Sequence, residues 1–175
     1  GQELKCWLSA GHGRLTMPHA IAQSCNIYFY RLGDMIEARR IERQAESFGF
    51  GRRPGYLKGK IAPLESSGAV PSKRDPDFTP LFAAGDTTEL LASPMQMAVF
   101  AAALANRGTV VRPSDDGKAA PAGRTKAARG IDAAVEGMKL CATAEGTCHA
   151  IAELPKPAAG KTGTARSLAG PQTHA

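Results

Sequence analysis

Near its C-terminal end the chain carries Gly160-Lys161-Thr162-Gly163-Thr164-Ala165, an alternation of small and hydroxyl residues around one lysine. The run is entered through Pro155 and Pro157, which are barred from central ladders, so it reads as a short strand at a sheet edge. An edge strand keeps free N–H and C=O groups that can pair with an extended peptide. Thr162 and Thr164 share one side by the period of two, and Gly163 permits close backbone approach. Lys161 adds a positive charge, and the chemistry this suggests is capture of a peptide that ends in a carboxylate. A phosphate loop of the type GxxxxGK[ST] is rejected. Its first glycine would fall at Pro155, and the helix it requires would have to run through Thr164, Gly170 and Pro171.

A second polar constellation sits far upstream. Met17-Pro18-His19-Ala20-Ile21-Ala22-Gln23 starts as a helix with Thr16 as cap and Pro18 in the first turn. Ser24-Cys25-Asn26 interrupts it, because serine and asparagine bond to nearby backbone in competition with the helix. Ile27 to Leu32 resumes an apolar face that ends near Gly33, leaving a polar tip between two buried helices. Ile36, Ile41, Ala45 and Phe48 recur at helical spacing and stop at Gly49 and Gly51. From Gly51 to Phe82 the Gly, Pro and Ser content, with Gly68, Pro71, Pro76 and Pro80, predicts a long ordered loop or an exposed insertion. Ser93-Pro94 caps a helix from Met95 to Asn106 whose methionines read as core. Val110 to Arg112 suggests a short strand, and Ser114 to Gly130 a loop or hairpin. Asp132 is expected to cap a helix over 133–144.

With 175 residues, 43 % of them hydrophobic, the chain can hold a core without staples. Its formal charge of +6 comes from scattered pairs, Arg39-Arg40, Arg52-Arg53 and Lys73-Arg74, with no interleaved aromatics for base stacking, which argues against nucleic acid. The four cysteines show no CxxC pair, so no zinc or thioredoxin-type spacing is present and no metal ligands are assigned. Cys141 and Cys148 fit either a short disulfide loop or two buried free thiols, and Cys25 reads as a small buried residue. A Ser-His-Asp triad is set aside because Ser24 lies in Gln-Ser-Cys and not in a GxSxG elbow.

The Ser24-Cys25-Asn26 tip followed by Lys161-Thr162-Gly163 matches two of the three elements of the serine acyl-transferases that react with penicillin. The chain resembles the transpeptidase domain of a penicillin-binding protein of the class B, elongation type. Carrying the resemblance are Gly11-His12-Gly13, the run from Ala22 to Gly33, Phe48-Gly49-Phe50-Gly51, Gly68-Ala69-Val70-Pro71-Ser72, Ala92 to Ala98, Ala105-Asn106-Arg107-Gly108, and Ala159 to Ala165. Asp86 and Thr87 depart from the glycine-glutamine-glycine turn usual in that family.

The resemblance implies an α/β fold, an antiparallel sheet flanked by helices plus an all-helical lobe, with residues 1–175 forming part of one such domain, cut at both ends, that supplies most of the lobe and one strand. It implies a peptidoglycan D,D-transpeptidase with an active-site serine in a Ser-x-x-Lys motif, which no serine of this chain offers, so the nucleophile is expected upstream of Gly1. Ser24 would shuttle a proton with support from Lys161, and Asn26 would bond the substrate's side-chain amide. Thr162 and Thr164 would take the terminal carboxylate beside Gly163, and the Thr164 N–H would form half of an oxyanion hole. No metal or cofactor is required. The partners implied are peptidoglycan stem peptides, β-lactams and a membrane glycosyltransferase of the elongation machinery, at the periplasmic face of the inner membrane. A β-lactamase, a β-lactam sensor and a non-catalytic wall-binding relative are the competing readings.

Overall fold

In a computed structural model of the chain, residues 4–72, 78–118, 120–124, 128–167 and 170–174 are described. The side chains of 124, 128–129 and 164–174, together with Lys73, Arg74 and Pro76, lie outside that description. In chain order the helices are α1 (Met17–Ala22), α2 (Asn26–Met35), α3 (Ala38–Ser47), α4 (Phe78–Ala84), α5 (Pro94–Ala105) and α6 (Ala128–Cys141), with short 3-10 turns at Gly59–Leu64 and His149–Glu153. Antiparallel hairpins join β1 (Thr109–Arg112) to β2 (Ala120–Arg124) and β3 (Thr164–Ser167) to β4 (Gly170–His174). Among the described residues no helix is long and apolar enough to cross a membrane.

The chain divides into two compact units. One comprises Gly1–Glu37, Asp75–Thr88 and Asp132–Ala175, and holds both polar motifs. Here α2 and α4 pack so closely that a Cβ on Gly33 would stand 2.5 Å from the Pro80 Cα. Gly33 is therefore a contact point, and α2 runs on to Met35 instead of ending there. The loop expected between Gly51 and Phe82 likewise gives way to α4 at Phe78, whose buried Phe78 and Phe82 supply the apolar face that a window crowded with prolines conceals. Tyr30, buried, donates its hydroxyl to the Asp86 carboxylate at 2.8 Å, which gives the departure at Asp86 a local structural role. Thr16 stands at the head of α1 with extended backbone, but its hydroxyl bonds His19 Nδ1 at 2.8 Å and caps no backbone N–H. On the other side of α1, Gly137 of α6 faces the Pro18 carbonyl and the Ile21 side chain, so the two helices are in near backbone contact. Helix α6 starts at Ala128, before the expected cap at Asp132.

The other unit, Ala38–Arg74 with Glu89–Ile131, is built on α5. Ser93 and Gln96 form a reciprocal capping box, as the Ser-Pro start suggests. The buried face of α5 is Gln96, Val99, Ala103 and Leu104, whereas Met97 is exposed and not core. Gln96 is 3 % exposed because its amide also donates to the carbonyls of Arg52 (3.0 Å) and Ser67 (2.7 Å), tying the irregular 51–67 segment to the helix. Phe48 and Phe50 pack on Phe100, and Gly49, at φ +95°, turns the chain out of α3.

Candidate active site

Ser24 lies in the turn between α1 and α2, at a left-handed φ of +51° that costs a serine about 1 kcal/mol. The surroundings hold it there. The N–H groups of Ser24 and Cys25 reach back to the carbonyls of Ile21 (3.2 Å) and Ala20 (2.9 Å), and the Trp7 indole donates to the Gln23 carbonyl at 2.9 Å. The Ser24 side chain, half-buried, is thereby presented at a helix junction, as the competition between serine and helix predicts. Asn26 follows as the first residue of α2, half-buried.

Lys161 arrives from 137 residues away and donates from Nζ to Ser24 Oγ at 2.8 Å and to the Thr162 carbonyl at 2.8 Å. Although the side chain as a whole is exposed, the crowding around the ammonium desolvates it and holds Lys161 below the ordinary lysine range. Among the described residues no carboxylate forms an ion pair with it. Its charge is thus directed at the serine hydroxyl and at whatever anion enters. A hydroxyl that accepts from an ammonium keeps its own proton to donate, so the Lys161-Ser24 pair can pass protons to and from a nitrogen.

The 160–163 run is not part of a ladder. The strand begins at Thr164 and pairs with Gly170–His174, a correction to the expected span from Gly160 and to the expected single strand. Gly160 instead bonds from its N–H to the Met138 carbonyl at 3.1 Å. It lies over the Cys141–Cys148 disulfide, where a Cβ would stand 2.8 Å from Ile151 and 3.6 Å from Cys148 Sγ. Of the two alternatives open for these cysteines, the disulfide is the one formed. Thr162 Oγ1 lies 2.8 Å from Thr147 Oγ1, and Gly163 is exposed. The Thr164 hydroxyl lies outside the described residues.

One grouping escaped the sequence reading. Cys6, His12 and Cys25 bring their ligand atoms within 4.8 Å of one another, and the His12 Nε2 is buried without a hydrogen-bond partner. Two sulfurs and one imidazole are the donors that zinc favours, one short of its usual four, so these are the residues able to hold a metal here. The spacing of 6, 12 and 25 shows no metal pattern because the turn after α1 folds Cys25 back over the N-terminal segment. Cys25, read from the sequence as a small buried residue, is buried and has a histidine beside it. Burial pushes the Cys25 thiol up. At Cys6 burial acts in the same direction, but backbone groups of Leu8, Asn26 and Ile27 and the Cys25 thiol outweigh it and hold that thiol down.

Over residues 1–175 the sequence matches the model of the penicillin binding protein transpeptidase domain. The chain belongs to this family. Among curated relatives, the stage V sporulation protein D of Bacillus subtilis is 30% identical over 118 residues, 65% of this chain and 17% of that protein. The peptidoglycan D,D-transpeptidase MrdA of Acinetobacter baumannii is 31% identical over 116 residues, 61% of this chain and 17% of that protein. In fold, the penicillin-binding protein PBP2 of Helicobacter pylori superposes with a TM-score of 0.83 at 24% identity, over 94% of this chain and 33% of that one. The chain thus spans about a sixth of its curated relatives and a third of that structure. The α/β fold implied by the resemblance is that of the penicillin-binding transpeptidases.

Beside the Lys161-Ser24 pair, sequence reasoning missed Thr147. Its N–H and hydroxyl both donate to the Ala22 carbonyl, at 3.0 and 3.2 Å, two residues before Ser24. Its position next to Cys148 was the available signal.

Proposed function

We propose that this chain is part of a peptidoglycan D,D-transpeptidase that works through a serine acyl-enzyme. The observation that carries the reading is the 2.8 Å contact from Lys161 Nζ to Ser24 Oγ, which joins two motifs that only a shared reaction requires to meet. The nucleophile is a serine in a Ser-x-x-Lys motif elsewhere in the full-length protein, since no serine of residues 1–175 stands in one, and residues 1–175 alone are inactive. That serine attacks the carbonyl of the penultimate D-alanine of a stem peptide. The terminal D-alanine leaves as an amine, and the amine of a neighbouring stem then attacks the ester.

In this scheme Ser24 gives a proton to the leaving nitrogen and takes one from the attacking amine, with the Lys161 ammonium stabilising the charge that appears on Oγ. Thr162 and Thr164 bind the terminal carboxylate, Gly163 leaves room for the peptide backbone, and Asn26 bonds the stem's side-chain amide. The Thr164 N–H supplies one of two oxyanion donors, and loss of one such donor costs ~3–4 kcal/mol of barrier. No metal or cofactor takes part in these steps. The protein acts at the periplasmic face of the cell envelope, held by a membrane anchor, takes β-lactams as suicide substrates, and works beside a membrane glycosyltransferase of the elongation machinery.

The full-length protein should form a covalent adduct with labelled penicillin that is lost when the Ser-x-x-Lys serine is replaced by alanine and that hydrolyses slowly. Rapid hydrolysis of the adduct would make it a β-lactamase, and absence of any adduct a non-catalytic relative.

A further inference from the structure

Thr147 touches both halves of the site. Its N–H and its hydroxyl converge on the Ala22 carbonyl, and its Oγ1 lies 2.8 Å from the Thr162 hydroxyl. The short loop that carries it is closed by the Cys141–Cys148 disulfide and by a bond from the Cys148 N–H to the Cys141 carbonyl at 2.8 Å. Gly146, immediately before it, is buried in contact with Cys141, where a side chain would meet the helix backbone. Beneath the loop, Ala22, Cys141 and Cys148 form a small buried cluster with Leu140 and Ile151. The position of the Thr147 hydroxyl is therefore set by covalent and packed structure.

Each threonine hydroxyl has a single proton. When Thr147 donates to the Ala22 carbonyl, the 2.8 Å contact requires Thr162 to donate to Thr147, and its proton then points away from any ligand. For Thr162 to donate to a carboxylate, the contact must reverse, with Thr147 donating and Thr162 accepting. The Ala22 carbonyl can release the hydroxyl because it keeps the Thr147 N–H at 3.0 Å. A hydroxyl that accepts a bond while donating another is also the stronger donor.

We propose that Thr147 is a positioning residue for carboxylate recognition, its hydroxyl turning from the Ala22 carbonyl to Thr162 so that Thr162 can give its proton to the substrate. The inference rests on the transpeptidase reading, in which Thr162 meets the carboxylate. Removing the Thr147 hydroxyl leaves Thr162 without its donor. It weakens ligand binding and leaves the chemical step, which Thr147 does not touch, unchanged.

The test uses the full-length protein and labelled penicillin, resolving acylation into a binding constant and a limiting rate constant, with penicillin methyl ester as the ligand lacking the carboxylate. Thr147→Val should weaken binding by about tenfold, equivalent to ~1.4 kcal/mol, with the limiting rate constant within twofold of the parent. The preference for acid over ester should narrow to match, and Thr147→Ser should restore both. On a Thr162→Val background, Thr147→Val should have no further effect. If Thr147→Val misfolds, Thr147→Ala carries the same expectations. An unchanged binding constant, a loss confined to the limiting rate constant, or failure of Thr147→Ser to rescue overturns this inference while the transpeptidase reading stands. A parent protein that forms no adduct overturns both.

Discussion

Replacing Lys161 by methionine keeps the length of the side chain and removes its charge. In the structure this deletes a charge-assisted bond to Ser24 Oγ at 2.8 Å and another to the Thr162 carbonyl, which solvent can replace. A hydrogen bond to a charged group is worth ~1.5–3 kcal/mol, and at ~1.4 kcal/mol per factor of ten, losing the Ser24 bond in the transition state predicts acylation slower by roughly 10- to 150-fold. The assay is the second-order rate of adduct formation between the full-length protein and labelled penicillin. A thermal melt of the variant beside the parent separates a slow protein from an unfolded one.

The pH dependence sharpens this prediction. Desolvation holds the Lys161 pKa below the ordinary lysine value, so the ammonium is lost at a lower pH than in the unfolded chain. Acylation should fall as pH rises through that depressed value. Stability moves oppositely: between the depressed and the ordinary value the unfolded chain binds more protons, so the cost of crowding the ammonium is relieved as pH rises. Lys161→Arg stays charged across the range and should lose the alkaline limb, although its different geometry lowers the rate below it. A methionine variant within threefold of the parent, or an alkaline limb at or above the ordinary lysine value, would refute the reasoning.

Two further outcomes follow from other parts of the chain. Gln96→Leu strands the Ser67 and Arg52 carbonyls and the Ser93 N–H, a loss of about 3 kcal/mol. Trypsin cleavage after Arg52 in the full-length protein should then accelerate more than tenfold, and a rate within twofold of the parent would exclude this role. Of the two free thiols, Cys6, whose pKa is held down and which is half-buried, should react with iodoacetamide near neutral pH before Cys25, which is buried and pushed up. Mass mapping that finds Cys25 modified first would contradict the geometry.

Much of the site was legible in the chain because its chemistry is carried by residue types that also punctuate structure. Serine and asparagine break a helix for the same reason that they offer polar side chains, so the junction at 24–26 was readable as both. Ser93-Pro94 announces α5 through a cap whose partner lies only three residues on. The short strand expected at Val110 to Arg112 forms as Thr109–Arg112, and it and the family motifs needed no distant contact to be seen. What failed to read locally is what depends on distant partners. Gly33 looked like a stop until Pro80 packed against it, and Met97 looked like core until the face of α5 was seen to turn on Gln96.

By itself the order of residues determined that two polar motifs and a helical scaffold would be present, since these follow from backbone preference and side-chain type. Only the tertiary structure decided which groups meet: Lys161 with Ser24, Thr147 with Thr162 and Ala22, Cys141 with Cys148, and Cys6 and His12 with Cys25. Local propensity acts over a few residues. A hydrogen bond between residues 137 positions apart depends on helix packing and loop closure, which propensity alone does not encode.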